Sequence, residues 1–148
     1  MSTYTQIIYQ IVFSTKHRTK SLNRQNRDLL FKYISGILKK KDCHLYQIGG
    51  VSDHIHIITH LHPSIALAYL IKDIKIASSK FIKSQDMFPQ FTSWQEGYAA
   101  FTYSIDAKDN LIKYVQNQEF HHKETTFIDE LKTLLKQHNV EYDEKYLV

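Results

Sequence analysis

The sequence predicts an α+β protein of the ferredoxin-like, split βαβ type: an antiparallel sheet with helices packed on one face, followed by C-terminal helices. Three observations predict it. Apolar residues switch between the two-residue repeat of strands and the 3.6-residue repeat of helices in the order strand, helix, strand, strand, helix, strand, helix, helix. The first six elements match the split βαβ order. The chain has 148 residues, only 4 glycines and 2 prolines, and no linker-like stretch, which suits one domain over residues 1–148 with few long loops.

Thr5 to Phe13 is rich in β-branched and aromatic residues and reads as the first strand. A polar loop from Ser14 to Ser21 follows, with Lys16, His17, Arg18 and Lys20; it reads equally as a solvated turn or as a phosphate-contacting loop. Asn23 is placed to cap a helix from Arg24 to about Lys41, with Leu30, Tyr33, Ile34, Ile37 and Leu38 as its apolar stripe. Lys39, Lys40 and Lys41 favour the negative end of its dipole, so they need no anionic partner.

Cys43 to Ile48 reads as the second strand, with Gly49-Gly50 as a tight turn into a third. Val51 to His62, VSDHIHIITHLH, is the stretch around which the rest is organised. Its alternation is that of a half-buried strand, Ile55, Ile57 and Leu61 on one side and His54, His56, His60 and His62 on the other. Imidazole is the commonest nitrogen ligand for metals, although a solvated polar face or a satisfied hydrogen-bond network gives the same pattern.

His62-Pro63 ends the pairing, and Ser64 is expected to cap a helix from Ile65 to about Lys83. Leu67, Leu70, Ile71, Ile74, Ser78 and Phe81 form its buried stripe; Lys72, Lys75 and Lys83 lie opposite, as a solvated face or a row along a phosphate backbone. Tyr98 to Ser104 is a further strand, after an irregular stretch carrying Trp94. Asp106 leads into a helix from Lys108 to about Glu119, and a last helix starts near Thr126 with Ile128, Leu131, Leu134 and Leu135 on its apolar side. The tail from Val140 onward is expected to be extended or docked.

Nineteen basic against fifteen acidic residues give a net charge of +4, and a pI near 9.0 mildly favours an anionic partner. A lone Cys43 makes no internal disulfide, which points to a reducing, cytoplasmic setting. Met1 to Gln10 lacks the features of a secretory signal, and no apolar run approaches the ~18 residues of a membrane span. At about 3.3 Å per residue, His54 and His62 lie about 26 Å apart, so one strand cannot bring all four histidines to one metal. An RNA-binding domain of the same architecture would display aromatics on this sheet face, whereas this strand displays histidines.

On the helix from Lys108, Tyr114 and Gln118 are four apart and share a face. His54-Ile55-His56 on a strand, preceded by Asp53, together with a tyrosine and a glutamine on a late helix, resembles the HUH (histidine–hydrophobe–histidine) class of single-strand endonucleases. Within that class the chain is similar to the small single-tyrosine transposases of the TnpA type and their relatives associated with palindromic repeat elements. Trp94 to Phe101 and Asn117 to His122 look like the segments flanking the tyrosine in that family, and the likeness runs from Tyr9 to about Leu135.

The resemblance implies a single HUH transposase domain that cuts and rejoins single-stranded DNA carrying hairpin ends, in DNA transposition and recombination. It implies that Tyr114 is the nucleophile, forming a 5′-phosphotyrosine link, and that His54, His56 and Gln118 hold a divalent metal, Mg²⁺ or Mn²⁺. It implies a homodimer with active sites shared between subunits, in a prokaryotic cytoplasm and at the nucleoid when bound. Lys16, Arg18 and Lys20 are the expected contacts to the hairpin. The alternative within the same resemblance is a domesticated protein that binds hairpin DNA without cutting it.

Overall fold

In a computed structural model describing residues 1–147, four strands form one antiparallel sheet in the order β2-β3-β1-β4. They are β1 (Ile8–Ser14), β2 (His44–Gly50), β3 (His54–His60) and β4 (Ala99–Tyr103). Helices α1 (Arg24–Lys40) and α2 (Leu67–Gln85) connect them in the split βαβ manner, and α3 (Lys108–Gln116), α4 (Gln118–His121) and α5 (Phe127–Gln137) follow β4. Asn23 caps α1 as expected, its side chain accepting from the Asn26 N–H.

Helices α1 and α2 cover one sheet face. Ile11, Phe13, Ile55 and Ile57 meet Leu30, Ile34 and Leu38 of α1 and Leu70, Ile71 and Ile74 of α2 in one core. Trp94 closes that core edge-on against Phe13, and its ring N–H donates to Ser78 Oγ at 2.9 Å, which explains a serine in the buried stripe of α2.

The other face is also covered. Leu111 and Val115 of α3 pack on Ile8 and Ile58, while Phe127, Leu134 and Leu135 of α5 pack on Val12 and Phe101. The histidine strand is therefore buried on both sides, not half-buried: His54 and His56 have no exposed surface. The C-terminal helices form a second layer over the histidines.

Several boundaries differ from expectation for local reasons. β1 begins at Ile8, not Thr5. Gly49 and Gly50 are the last residues of β2, and Val51 to Asp53 make the turn. A Cβ on Gly49 would come within 2.9 Å of the Val115 side chain and 3.0 Å of its carbonyl oxygen, so glycine there admits the tyrosine-bearing helix against the sheet. Ser64 does not cap α2: its hydroxyl is 2.7 Å from His62 Nδ1, and Ala66 occupies the N-cap without a side-chain bond. Lys75 is not part of a free lysine row, because its ammonium donates to the carbonyls of Gln95 (2.8 Å) and Gly97 (2.6 Å). None of the described helices is long and apolar enough to cross a membrane.

Candidate active site

The site lies where β3, α3, α4 and α5 meet. β1 and β3 pair with Val12 opposite His56 and Ser14 opposite His54. That register puts both imidazoles at the centre of the covered face, beside Gln10, which is also fully buried.

Each buried ring is held from behind. His54 Nδ1–H donates to Asp53 Oδ1 at 2.7 Å, and its Nε2–H reaches Gln118 Oε1 at 3.0 Å. His56 Nδ1 accepts from the Gln10 amide at 3.1 Å, which leaves its Nε2–H to donate to Glu130 Oε1 at 3.0 Å. Gln10 is itself fixed by the Tyr103 hydroxyl at 2.5 Å. Burial pushes that phenol up to about 12, so it stays a donor. Phe127 stacks on the His54 ring, with centroids 4.4 Å apart.

Helix α3 brings Tyr114 over this cluster, its ring centroid 5.7 Å from that of His56. The helix breaks at Asn117, and Gln118 opens the short α4. Tyr114 and Gln118 nevertheless point at the same place. The Tyr114 hydroxyl and the Gln118 amide both donate to Glu130 Oε2, the latter at 3.0 Å.

Glu130 enters the site without having been expected there, and His122, whose role the sequence leaves open, joins it. Glu130, on α5, is 2% exposed, and its Oε1 lies 3.2, 3.0 and 2.9 Å from the Nε2 atoms of His54, His56 and His122. His122 Nδ1–H donates to the Thr125 carbonyl at 2.7 Å, which turns its Nε2 inward. The sequence does contain a signal for Glu130. Phe127, Glu130 and Leu134 share one face of α5, so a carboxylate stands in the middle of an apolar stripe.

The charges of the group are coupled. Burial opposes charge on His54, but hydrogen bonds to Asp53 and Glu130 outweigh it and push this imidazole up to about 9. Burial pushes His56 down, past the opposing pull of Glu130. Burial would raise the Glu130 carboxyl, but bonds to His122, His54 and His56 hold it well below the usual carboxylate range. Burial and the adjacent Glu130 charge push the Tyr114 phenol well above its ordinary value. At neutral pH these effects favour an ionised Glu130, a doubly protonated His54 and a neutral Tyr114.

The donors fit a divalent cation. One ligand atom from each of His54, His56, His122 and Glu130 lies within 4.8 Å of all the others, and the group is deeply buried. Asp53 and the Thr125 carbonyl anchor the far nitrogens of His54 and His122, the usual support for ligating histidines. His60 and His62 stand apart, the former accepting from the Ile7 N–H at 3.2 Å and the latter bonded to Ser64. His121 sits at the rim, 3.6 Å from Glu130 Oε2.

Beside the cluster opens a cavity of about 650 Å³, lined by Arg18, Lys20, Arg24, Asp53, His122 and Phe127 among others. Arg18 and Lys20 of the expected basic set face it; Lys16 is exposed and does not line it. His17 and Arg18 both adopt left-handed backbone (φ 56° and 54°), which is costly outside glycine. The segment before β4 holds them there: Gln95 Oε1 accepts from the His17 N–H, and the Ser93 carbonyl accepts from Lys16 N–H, both at 2.9 Å. Arg24 and Arg27 are paired with Glu119, whereas Arg18 Nη1 is buried with no protein partner.

Comparisons with known proteins agree with this architecture. The family described as "Transposase IS200 like" matches residues 3–118. Among solved structures, the chain resembles a candidate transposase from Deinococcus radiodurans R1, with a TM-score of 0.62 and 21% identity over 80% of this chain and 95% of that one. It also resembles a REP-associated tyrosine transposase bound to a REP hairpin, with a TM-score of 0.60 and 14% identity over 82% of this chain and 74% of that one. At these identities the structural likeness speaks for the fold. No curated protein matches the chain.

Proposed function

The chain belongs to the IS200-like transposase family, and on that premise we propose that it cuts and rejoins single-stranded DNA through a covalent bond to Tyr114. The observation that carries the reading is that one buried carboxylate gathers the Tyr114 hydroxyl, the Gln118 amide and the His54 and His56 imidazoles within a single chain.

In this reading Tyr114 Oη attacks a backbone phosphorus, the bond from phosphorus to the 3′ oxygen breaks, and a 5′-phosphotyrosine remains. The phenol gives up a proton and the departing 3′-hydroxyl gains one. A second 3′-hydroxyl reverses the exchange and reseals the strand, so bond energy is conserved and no nucleotide triphosphate is needed. His54, His56 and Gln118 would hold a divalent ion, Mg²⁺ or Mn²⁺, which when bound polarises the phosphoryl oxygen. The protein's own contribution is placement: α3 sets Tyr114 over the histidines, and the covering helices keep water from the cluster. With purified protein and a labelled single-stranded hairpin oligonucleotide from its own element, a denaturing gel is expected to show a protein–DNA adduct that chelator abolishes and Mn²⁺ restores. Hairpin binding with no adduct under any metal would leave only the domesticated DNA-binding reading.

A structural relative is bound to a REP hairpin, and hairpin-ended single-stranded DNA is the substrate proposed here. The basic cavity next to the cluster suits the strand flanking the scissile phosphate, with Arg18 and Lys20 on its backbone. A phosphate oxygen would supply the partner that Arg18 Nη1 lacks. Arg18→Gln is expected to weaken single-strand binding several-fold on all sequences and to flatten the slope of log affinity against log salt by about 0.7. An unchanged slope would remove Arg18 from the DNA path.

The resemblance implies a homodimer with shared sites. The geometry supports a site closed within one subunit, since His54, His56, Tyr114 and Gln118 already meet in one chain.

A further inference from the structure

Helix α5 lies beyond residues 3–118, the span that matches the family, yet it supplies the most heavily bonded group in the site. Glu130 has two oxygens with separate duties. Oε1 is ringed by three inward-turned imidazole nitrogens at 2.9 to 3.2 Å. Oε2 takes the Tyr114 hydroxyl and the Gln118 amide. A carboxylate this buried is rarely found without a cation or several strong donors to meet it. Three imidazole nitrogens and a carboxylate oxygen within 4.8 Å of one another are enough donors to hold one divalent ion.

We propose that His122 and Glu130 ligate the same divalent cation as His54 and His56, and that Glu130, through its second oxygen, positions the Tyr114 hydroxyl. The part concerning Tyr114 rests on the functional reading above; the ligand set does not. Gln118, whose oxygen faces His54 and whose nitrogen faces Glu130, ties the two halves of the set together. The donor set also narrows the cofactor class. Mg²⁺ prefers oxygen ligands and retains several waters, whereas imidazole-rich sites favour Mn²⁺, Co²⁺, Ni²⁺ or Zn²⁺. The ion then joins strand β3 to the segment from His122 to Glu130, making the C-terminal layer part of the working site.

The test begins without DNA. Wild type, Glu130→Gln and His122→Asn are titrated with Co²⁺ by visible absorption and with Mn²⁺ and Mg²⁺ by calorimetry. Wild type is expected to bind one Co²⁺ or Mn²⁺ per chain more tightly than Mg²⁺. Each variant is expected to lose at least about tenfold in Co²⁺ affinity and to shift the Co²⁺ spectrum. With saturating Mn²⁺ and single-stranded DNA, Glu130→Gln is expected to lower the single-turnover rate of adduct formation at least about tenfold while DNA affinity stays unchanged. Wild-type Co²⁺ affinity and spectrum in both variants would overturn the ligand set, leaving His122 and Glu130 as structural partners of the histidines. A wild-type adduct rate in Glu130→Gln would overturn the positioning role. If Glu130→Gln does not fold, His122→Asn decides the ligand set. Glu130→Asp, which keeps the charge but draws the carboxylate back from Tyr114, then decides the positioning by the same rate comparison, made at Mn²⁺ concentrations shown by calorimetry to saturate that variant. If the metal results hold and wild type makes no adduct with any DNA, the ligand set stands and the transposase reading falls.

Discussion

Tyr114→Phe is expected to abolish the protein–DNA adduct, a loss of at least ~10³-fold in cleavage, while leaving divalent-metal affinity and hairpin binding near wild type. The substitution removes one oxygen and keeps the ring that packs against His56. The phenol is half-buried and, among the described residues, its hydroxyl bonds only to Glu130, so the fold loses little with it. Glu130 keeps its four nitrogen partners, the Nε2 atoms of the three histidines and of Gln118. A Tyr114→Phe variant that still cuts single-stranded DNA at a comparable rate would move the nucleophile elsewhere.

His56→Ala is expected to be nearly as damaging to activity, and unlike Tyr114→Phe it should also reduce stability. The ring is fully buried between Gln10 and Glu130. Its removal leaves a cavity, strips the Gln10 amide of an acceptor and takes one donor from the Glu130 carboxylate. Each orphaned buried group costs about 1–3 kcal/mol, so the melting temperature should fall by several degrees. Metal-dependent cleavage should be lost, because one of the proposed ligands is gone. Mixing His56→Ala with Tyr114→Phe discriminates the two assemblies. Sites closed within one chain give no recovery on mixing, whereas sites shared between subunits give back part of the wild-type adduct.

The fold was legible because its elements announce themselves locally. The stripe of α1, with Asn23 at its start, and the alternation through His54 to His60 each fix one element. The order of elements then leaves few topologies. Gly49-Gly50 misled because a glycine pair in sequence signals a turn, whereas here Gly49 answers to Val115 on a helix far along the chain. Of the cluster, His54 and His56 stand out locally by their alternation on β3, whereas Tyr114 and Gln118, on α3 and α4, were singled out only through the family resemblance. The rest of the site was not legible. Alternation shows that the histidines leave the isoleucine core, but not that α4 and α5 come down on them. His122 has no assigned role in the sequence until the Thr125 carbonyl is seen to turn its ring. Glu130 was visible in principle as a charge between Phe127 and Leu134 on one helix face, but nothing in the sequence names the three imidazoles it meets.

The most direct measurement is peptide mapping of the covalent adduct by mass spectrometry, after reaction of the wild-type chain with single-stranded hairpin DNA and Mn²⁺ and nuclease trimming. The expected result is a nucleotide attached through a 5′-phosphate to the peptide containing Tyr114, with no adduct in chelator. A nucleotide on any other residue, or cleavage without a covalent species, would contradict the assignment of the buried His54–His56–Tyr114 cluster as the site of strand exchange.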